Sequence, residues 1–132
     1  MKYLLVLAGV VIISLMACNP SVKPEQLIGK WNYTKVENPN QQPAYSMPEE
    51  EVKKNSPTIS FTENKLIMIW GGKKLSAGTY RMENRMIRYK EKFDDGTSRE
   101  FPFLIKEISD TSLVFETMEQ NATRITAKRL PK

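Results

Sequence analysis

The chain has a single cysteine, Cys18, and no histidine. Those two counts decide most of the chemistry its side chains can do. Without imidazole there is no Ser-His-Asp or Cys-His nucleophile and no proton shuttle poised near neutral pH, and a zinc site would need carboxylates alone. The remaining acid–base groups are Asp, Glu, Lys and Tyr, and no spaced pair of carboxylates stands out. No Gly-rich phosphate loop is present either, because Gly71-Gly72 lies between two strand-like runs and reads as a hairpin turn. The sequence therefore reads as non-catalytic, with no cofactor and no metal.

Cys18 closes the run Leu15-Met16-Ala17-Cys18, and the residues from 3 to 17 before it carry no charge and follow Lys2. A short positive start and an apolar run too short to span a bilayer have the layout of a secretory signal. The last four residues resemble a bacterial lipobox, in which the cysteine is lipidated and becomes the first mature residue. The resemblance implies a signal peptide over 1–17 and lipidation of Cys18. Residues 18–26, with two prolines and no hydrophobic pattern, are then expected to be a tether. Asn19, rather than Asp, after the cysteine implies the outer membrane, and the lack of an acidic cluster behind it implies a periplasm-facing position. One acyl chain binds a membrane only marginally, whereas several hold it stably. Loss of Lys2 with the signal lowers the formal charge of +5 by one, a mild excess that excludes nucleic acid as an expected partner. An acylated Cys18 leaves no thiol for a disulfide, so packing must supply the stability.

From position 27 onward the hydrophobic pattern has period two and is broken by turns, the signature of half-buried strands. A first strand places Trp31, Tyr33 and Lys35 on one face and Asn32, Thr34 and Val36 on the other. Further strands are expected over 58–62, 65–70, 76–82, 85–93, 100–108, 112–118 and 124–130, with polar or Gly-containing turns between them. The expectation over 27–132 is an all-β fold, a single eight-stranded antiparallel meander closed into a barrel without exposed edges. The exception is 37–57, which holds four prolines. Within it Ser46-Met47-Pro48-Glu49 has capping-box spacing, with acids at 49–51 and lysines at 53–54, so one short helix is expected in 46–55. This segment is expected to cross the surface rather than to lid the barrel.

Leu27-Ile28-Gly29-Lys30-Trp31 resembles the G-x-W opening of lipocalins and their relatives. Ile59-Ser60-Phe61-Thr62, Gly78-Thr79-Tyr80 and the stretch 105–115 with its Asp110-Thr111 turn resemble the short lipocalin-like domains of secreted lipoproteins, which are common in Bacteroidetes. The resemblance covers 27–130. It implies a barrel that binds a small hydrophobic or amphipathic ligand. It also implies that a basic residue of the last strand, here Arg124, Lys128 or Arg129, closes over Trp31 through a cation–π contact. The chain is shorter than typical lipocalins and lacks their C-terminal helix.

The side chains expected to face inward and bind such a ligand are Trp31, Phe61, Met68, Trp70, Tyr80, Tyr89, Phe103 and Phe115, with Met82, Ile87 and Leu113 beside them. Eight strands stand at the threshold between a filled lumen and room for one small ligand, and strands of only six to eight residues weigh toward filling. In 85–93, Ile87, Tyr89, Glu91 and Phe93 share the inner face, where Glu91 is expected to pair with an arginine at the rim. Arg88, Lys90 and Lys92 share the outer face with Arg81 alongside, a stripe that reads as solvated. The run 65–70 is apolar on both faces. Cover from 37–57 is the first expectation, and a docking strip at Ile67 and Ile69 for an envelope protein partner is the second.

Overall fold

A computed structural model of the chain describes residues 20–131, so the signal segment and Cys18 lie outside the described residues. In chain order it contains α1 (Pro24–Leu27), β1 (Gly29–Asn38), β2 (Tyr45–Ser46), α2 (Glu49–Asn55), β3 (Thr58–Phe61) and β4 (Lys65–Trp70). There follow β5 (Lys73–Glu83), β6 (Met86–Lys92), β7 (Ser98–Ile108), β8 (Ser112–Thr117) and β9 (Arg124–Arg129). Each strand from β3 to β9 pairs antiparallel with the next, and β1 pairs with both β3 and β9. Eight strands thus close into the expected all-β barrel. A ninth, β2, was not expected; its two residues pair only with Glu37 and Asn38 at the end of β1.

Closure sets two faces on every strand. Trp31, Ile59, Phe61, Leu66, Ile87, Tyr89, Ile105, Leu113, Phe115 and Ala127 all point inward and are essentially inaccessible. Burial of each large side chain among them contributes about 1.5–3 kcal/mol. The up-and-down path gathers the 62–64, 84–85 and 109–111 turns at one end, together with α1. The 71–72, 93–97 and 118–123 connections lie at the other.

Three features correct the reading of the sequence. The first strand does not alternate regularly, because a bulge interrupts the β1–β9 register between Tyr33 and Lys35. The extra residue turns Lys35 out to solvent and brings Val36 into the core, the reverse of strict period two. The expected tether is partly folded: α1 caps the barrel with Leu27 fully buried, and Val22 is only 3% exposed. A lone valine and a lone leucine among prolines show no periodicity, so only the closed barrel reveals what they cover. Finally, α2 forms where a helix was expected but without the capping box, since Ser46 is engaged in β2 and Pro48 occupies the N-cap. An ion pair between Lys53 and Glu49 at 3.2 Å spans one turn of α2.

Candidate functional site

The two ends of the barrel are built differently. At the α1 end, the Trp31 indole N–H donates to the Leu27 carbonyl at 2.9 Å. Phe61 and Tyr80 meet edge to face at 5.3 Å, and the Tyr80 hydroxyl donates to the Thr62 carbonyl at 2.6 Å. Arg129 closes this end: its guanidinium carbon lies 4.1 Å from the centre of the Trp31 ring. The basic residue implied by the lipocalin resemblance is thus Arg129, while Lys128 points to solvent and Arg124 pairs with Glu116 at 2.8 Å. This end is solidly packed.

The other end is open. A cavity of about 530 Å³ enters the lumen there, within the usual range for small-molecule sites. β1, β4, β5, β7, β8 and β9 supply its apolar wall: Tyr33, Val36, Met68, Trp70, Leu75, Phe101, Phe103, Phe115 and Ile125. Edge-to-face contacts lock the aromatic part, with ring centres 5.1 Å apart for Phe101–Phe103, 5.5 Å for Phe103–Phe115 and 6.2 Å for Tyr33–Phe115. The strands that meet here outrun the packed end. β5 and β7 have eleven residues each and β1 has ten, longer than the spans read from the sequence. That extra length lifts the mouth beyond the filled part of the lumen.

One side of the cavity is polar and fully organised. Glu91, 7% exposed, accepts from Arg99 Nε at 3.1 Å, and Arg99 Nη2 lies 3.0 Å from the same oxygen. Its other oxygen accepts from the Ser76 hydroxyl. Ser76 has then given its only hydrogen, so the Tyr89 hydroxyl at 2.6 Å is the donor to Ser76. The expected pairing of Glu91 with an arginine is met by Arg99, whose guanidinium also stacks 4.9 Å from the Phe101 ring centre. Thr117 and Thr123 complete the wall, with the Thr123 N–H donating to the Thr117 hydroxyl at 2.9 Å.

Of the eight side chains expected to bind a ligand, the structure brings Met68, Trp70, Phe103 and Phe115 to the cavity. It places Trp31, Phe61 and Tyr80 in the packed end, and Tyr89 stands behind the wall, against Phe101 and Phe103 and bonded to Ser76. The reason is axial position: alternation separates inside from outside but does not say how far along the barrel a residue sits. Tyr33, Val36, Leu75, Ser76, Arg99, Phe101, Thr117, Thr123 and Ile125 belong to the wall and were not in the expected set. For Val36 the bulge hid the signal; for Tyr33 and Phe101 it was available, since each is an aromatic two residues from Trp31 or Phe103 on the same strand face.

The outer surface also differs from expectation. Residues 37–57 leave Ile67 of the second face of β4 uncovered, although Ile69 is part-buried and the Gly71 N–H just beyond β4 donates to the Asn55 carbonyl at 2.8 Å. Ile67 stays 36% exposed and lies in an open hollow of about 310 Å³ with Lys65, Lys74, Ala77, Lys92 and Phe93. α2 packs on β1 instead, burying Val52. The stripe of Arg81, Arg88, Lys90 and Lys92 does face solvent, and Glu83 offsets part of its charge, binding Arg88 at 3.1 Å and Arg81 at 3.4 Å. Hydrogen bonds from both arginines, Arg88 foremost, hold the Glu83 carboxyl below its usual range.

Among the described residues no cluster of His, Cys, Asp and Glu is placed to hold a metal ion, and no helix is long and apolar enough to cross a membrane. No protein-family model matches the chain, and no curated protein or solved structure matches it.

Proposed function

We propose that this chain is a lipid-anchored protein of the Gram-negative outer membrane, of the lipocalin-like type that its first strand resembles. Its barrel carries a small amphipathic ligand facing the periplasm and catalyses no reaction. The observation that supports this reading is the open end of the lumen, with an aromatic and methionine wall on one side and a hydrogen-bonded polar patch on the other. The wall takes an apolar body by area burial. Glu91 and Arg99 already neutralise each other, so a charged ligand end would meet one like charge beside each opposite one. The ligand's polar end is therefore an uncharged hydrogen-bonding group.

Native mass spectrometry of the protein extracted from its own envelope in mild detergent tests this. A co-purifying lipid-like molecule of defined mass supports carriage and gives its class. An empty chain under gentle desolvation overturns it. The uncovered Ile67, in a hollow where Lys65, Lys74 and Lys92 outnumber the acid Asp94, favours a second reading, an interaction module for an acidic envelope protein. That reading expects an empty barrel and loss of the complex in Ile67→Lys.

A further inference from the structure

We propose that the plugged end of the barrel lies against the anchoring bilayer and that the cavity opens away from it. This rests on the lipid-anchor reading of Cys18. The argument is one of chain length. Only Asn19 separates Cys18 from Pro20, and Pro20 is already fastened to the barrel. Arg85 Nη1 donates to the Pro20 carbonyl at 3.0 Å, and the Val22 N–H donates to the Asn84 carbonyl at 2.8 Å. Arg85 itself is fixed by the carbonyls of Ile105 at 3.2 Å and Lys106 at 3.4 Å. Val22 is buried and Leu27 fills the end of the lumen, so the residues between them leave no slack.

Two residues reach at most about 7 Å even when fully extended. An acylated Cys18 therefore holds Pro20 within that distance of the headgroups, and with it the end of the barrel that carries the β5–β6 turn and α1. The mouth lies at the far end of β5, eleven residues away. At about 3.3 Å per residue and the tilt usual in barrels, that separation is on the order of 25 Å along the axis. Leu75 and Phe93, both exposed near the mouth, then stand clear of the anchoring leaflet. Ile28, 38% exposed beside α1, is turned toward it instead. The ligand consequently exchanges with the aqueous compartment or a carrier within it, and does not slide directly from the bilayer that holds the protein.

The full-length lipidated protein can report this directly, because acylation of Cys18 leaves any introduced cysteine as the only free thiol. Glu107→Cys near the plugged end and Gln120→Cys at the mouth, both exposed positions, are each labelled with a small fluorophore. Both are reconstituted into phosphatidylethanolamine–phosphatidylglycerol vesicles that contain a headgroup-attached quencher. The expected result is loss of emission at position 107 and none at position 120. Equal quenching at both positions, or stronger quenching at 120, overturns the orientation. Intact mass of the same samples separates the two claims: an unacylated Cys18 overturns the anchor reading instead. A flexible Gly-Ser insertion between Asn19 and Pro20 should erase the contrast. A contrast that survives it overturns the short link as the cause.

Discussion

Arg129 and Trp31 face each other across the β1–β9 seam, directly paired in register, with the guanidinium 4.1 Å from the centre of the indole. The contact does more than cover a ring. Arg129 Nε donates to the Asp110 carbonyl at 2.7 Å, Nη2 to Gln26 at 2.7 Å, and Nη1 to Ile28. One side chain therefore ties the β7–β8 turn, α1 and the start of β1 to the last strand. Gly29 makes room for it: a Cβ there would lie 2.9 Å from Nη1, on a backbone at φ +130°. The glycine and the tryptophan of the G-x-W together form the seat of the arginine.

Arg129→Ala should cost about 2–3 kcal/mol, combining a partly desolvated cation–π contact with charge-assisted hydrogen bonds. Arg129→Lys should recover little of it, because an ammonium cannot reproduce the planar fork that reaches three carbonyls. Urea unfolding monitored by tryptophan fluorescence checks both. A lysine variant as stable as the parent would show that charge alone matters at this position.

Gly78 faces Glu91 across β5 and β6, and the two strands approach so closely there that an added Cβ would fall 1.9 Å from the Lys90 carbonyl oxygen. Backbone cannot step aside cheaply. Gly78→Ala should lower stability by about 1–3 kcal/mol through overpacking. It should also loosen the Ser76–Glu91–Arg99 side of the cavity, seen as faster amide exchange in β5 and β6. Unchanged stability would mean that the strands separate without strain.

The architecture was legible in the sequence, and the site only in part. Period-two alternation and turn residues marked the strands, because those are local signals, and closure followed from their number, since eight strands close a small barrel without exposed edges. Met68, Trp70, Phe103 and Phe115 were found because the candidates were drawn from aromatic and methionine side chains on the expected inner faces, a choice that still passed over Tyr33 on the face of Trp31. Trp31, Phe61 and Tyr80 met the same criterion yet plug the other end, since axial depth depends on strand stagger and on what caps the barrel. The cap itself, Val22 and Leu27, carries no pattern at all. The bulge near Thr34 is equally silent, so Val36 was read as an outer residue.

Tyr33, Tyr80 and Tyr89 all hold their protons above the ordinary tyrosine value of 10.0, chiefly because burial disfavours the phenolate. Above that value the unfolded chain has lost these protons while the folded chain keeps them. The folded state then binds more protons, so stability falls as pH rises. The contribution is complete below pH 10.0 and is lost as pH climbs through the raised folded values. Thermal melts should show a steep alkaline decline starting there, with phenolate absorbance of these residues appearing only as near-ultraviolet circular dichroism disappears. Tyr33→Phe should move the decline to higher pH, and an unmoved curve would remove Tyr33 as a contributor.

The neutral Glu91–Arg99 pair makes a selectivity prediction that a matched series of decanol, decanoate and decylamine can read by displacement of a fluorescent probe. The parent should favour decanol. Glu91→Gln leaves Arg99 without its partner and should raise decanoate affinity about tenfold, the equivalent of roughly 1.4 kcal/mol. Arg99→Gln should favour decylamine in the same way. An order of affinity indifferent to both substitutions would place the ligand's polar end elsewhere in the lumen.

The two tryptophans separate carriage from folding. Trp31 is fully buried at the plugged end, whereas Trp70 is half-buried in the cavity wall near the mouth, two strands from Glu91. Trp70→Ala removes the largest side chain of the wall, at a place that solvent can refill. It should abolish uptake of the co-purifying molecule while costing well under the roughly 3–5 kcal/mol of a buried Trp→Ala. Phe61→Ala, deep in the packed end, should behave in the opposite way. It should lose stability on that larger scale, while the fraction that remains folded takes up ligand normally. Native mass spectra and urea curves on the same two preparations give both readouts. Full uptake by Trp70→Ala would exclude Trp70 from the site, and loss of uptake in folded Phe61→Ala would extend the ligand into the end that the structure fills with side chains.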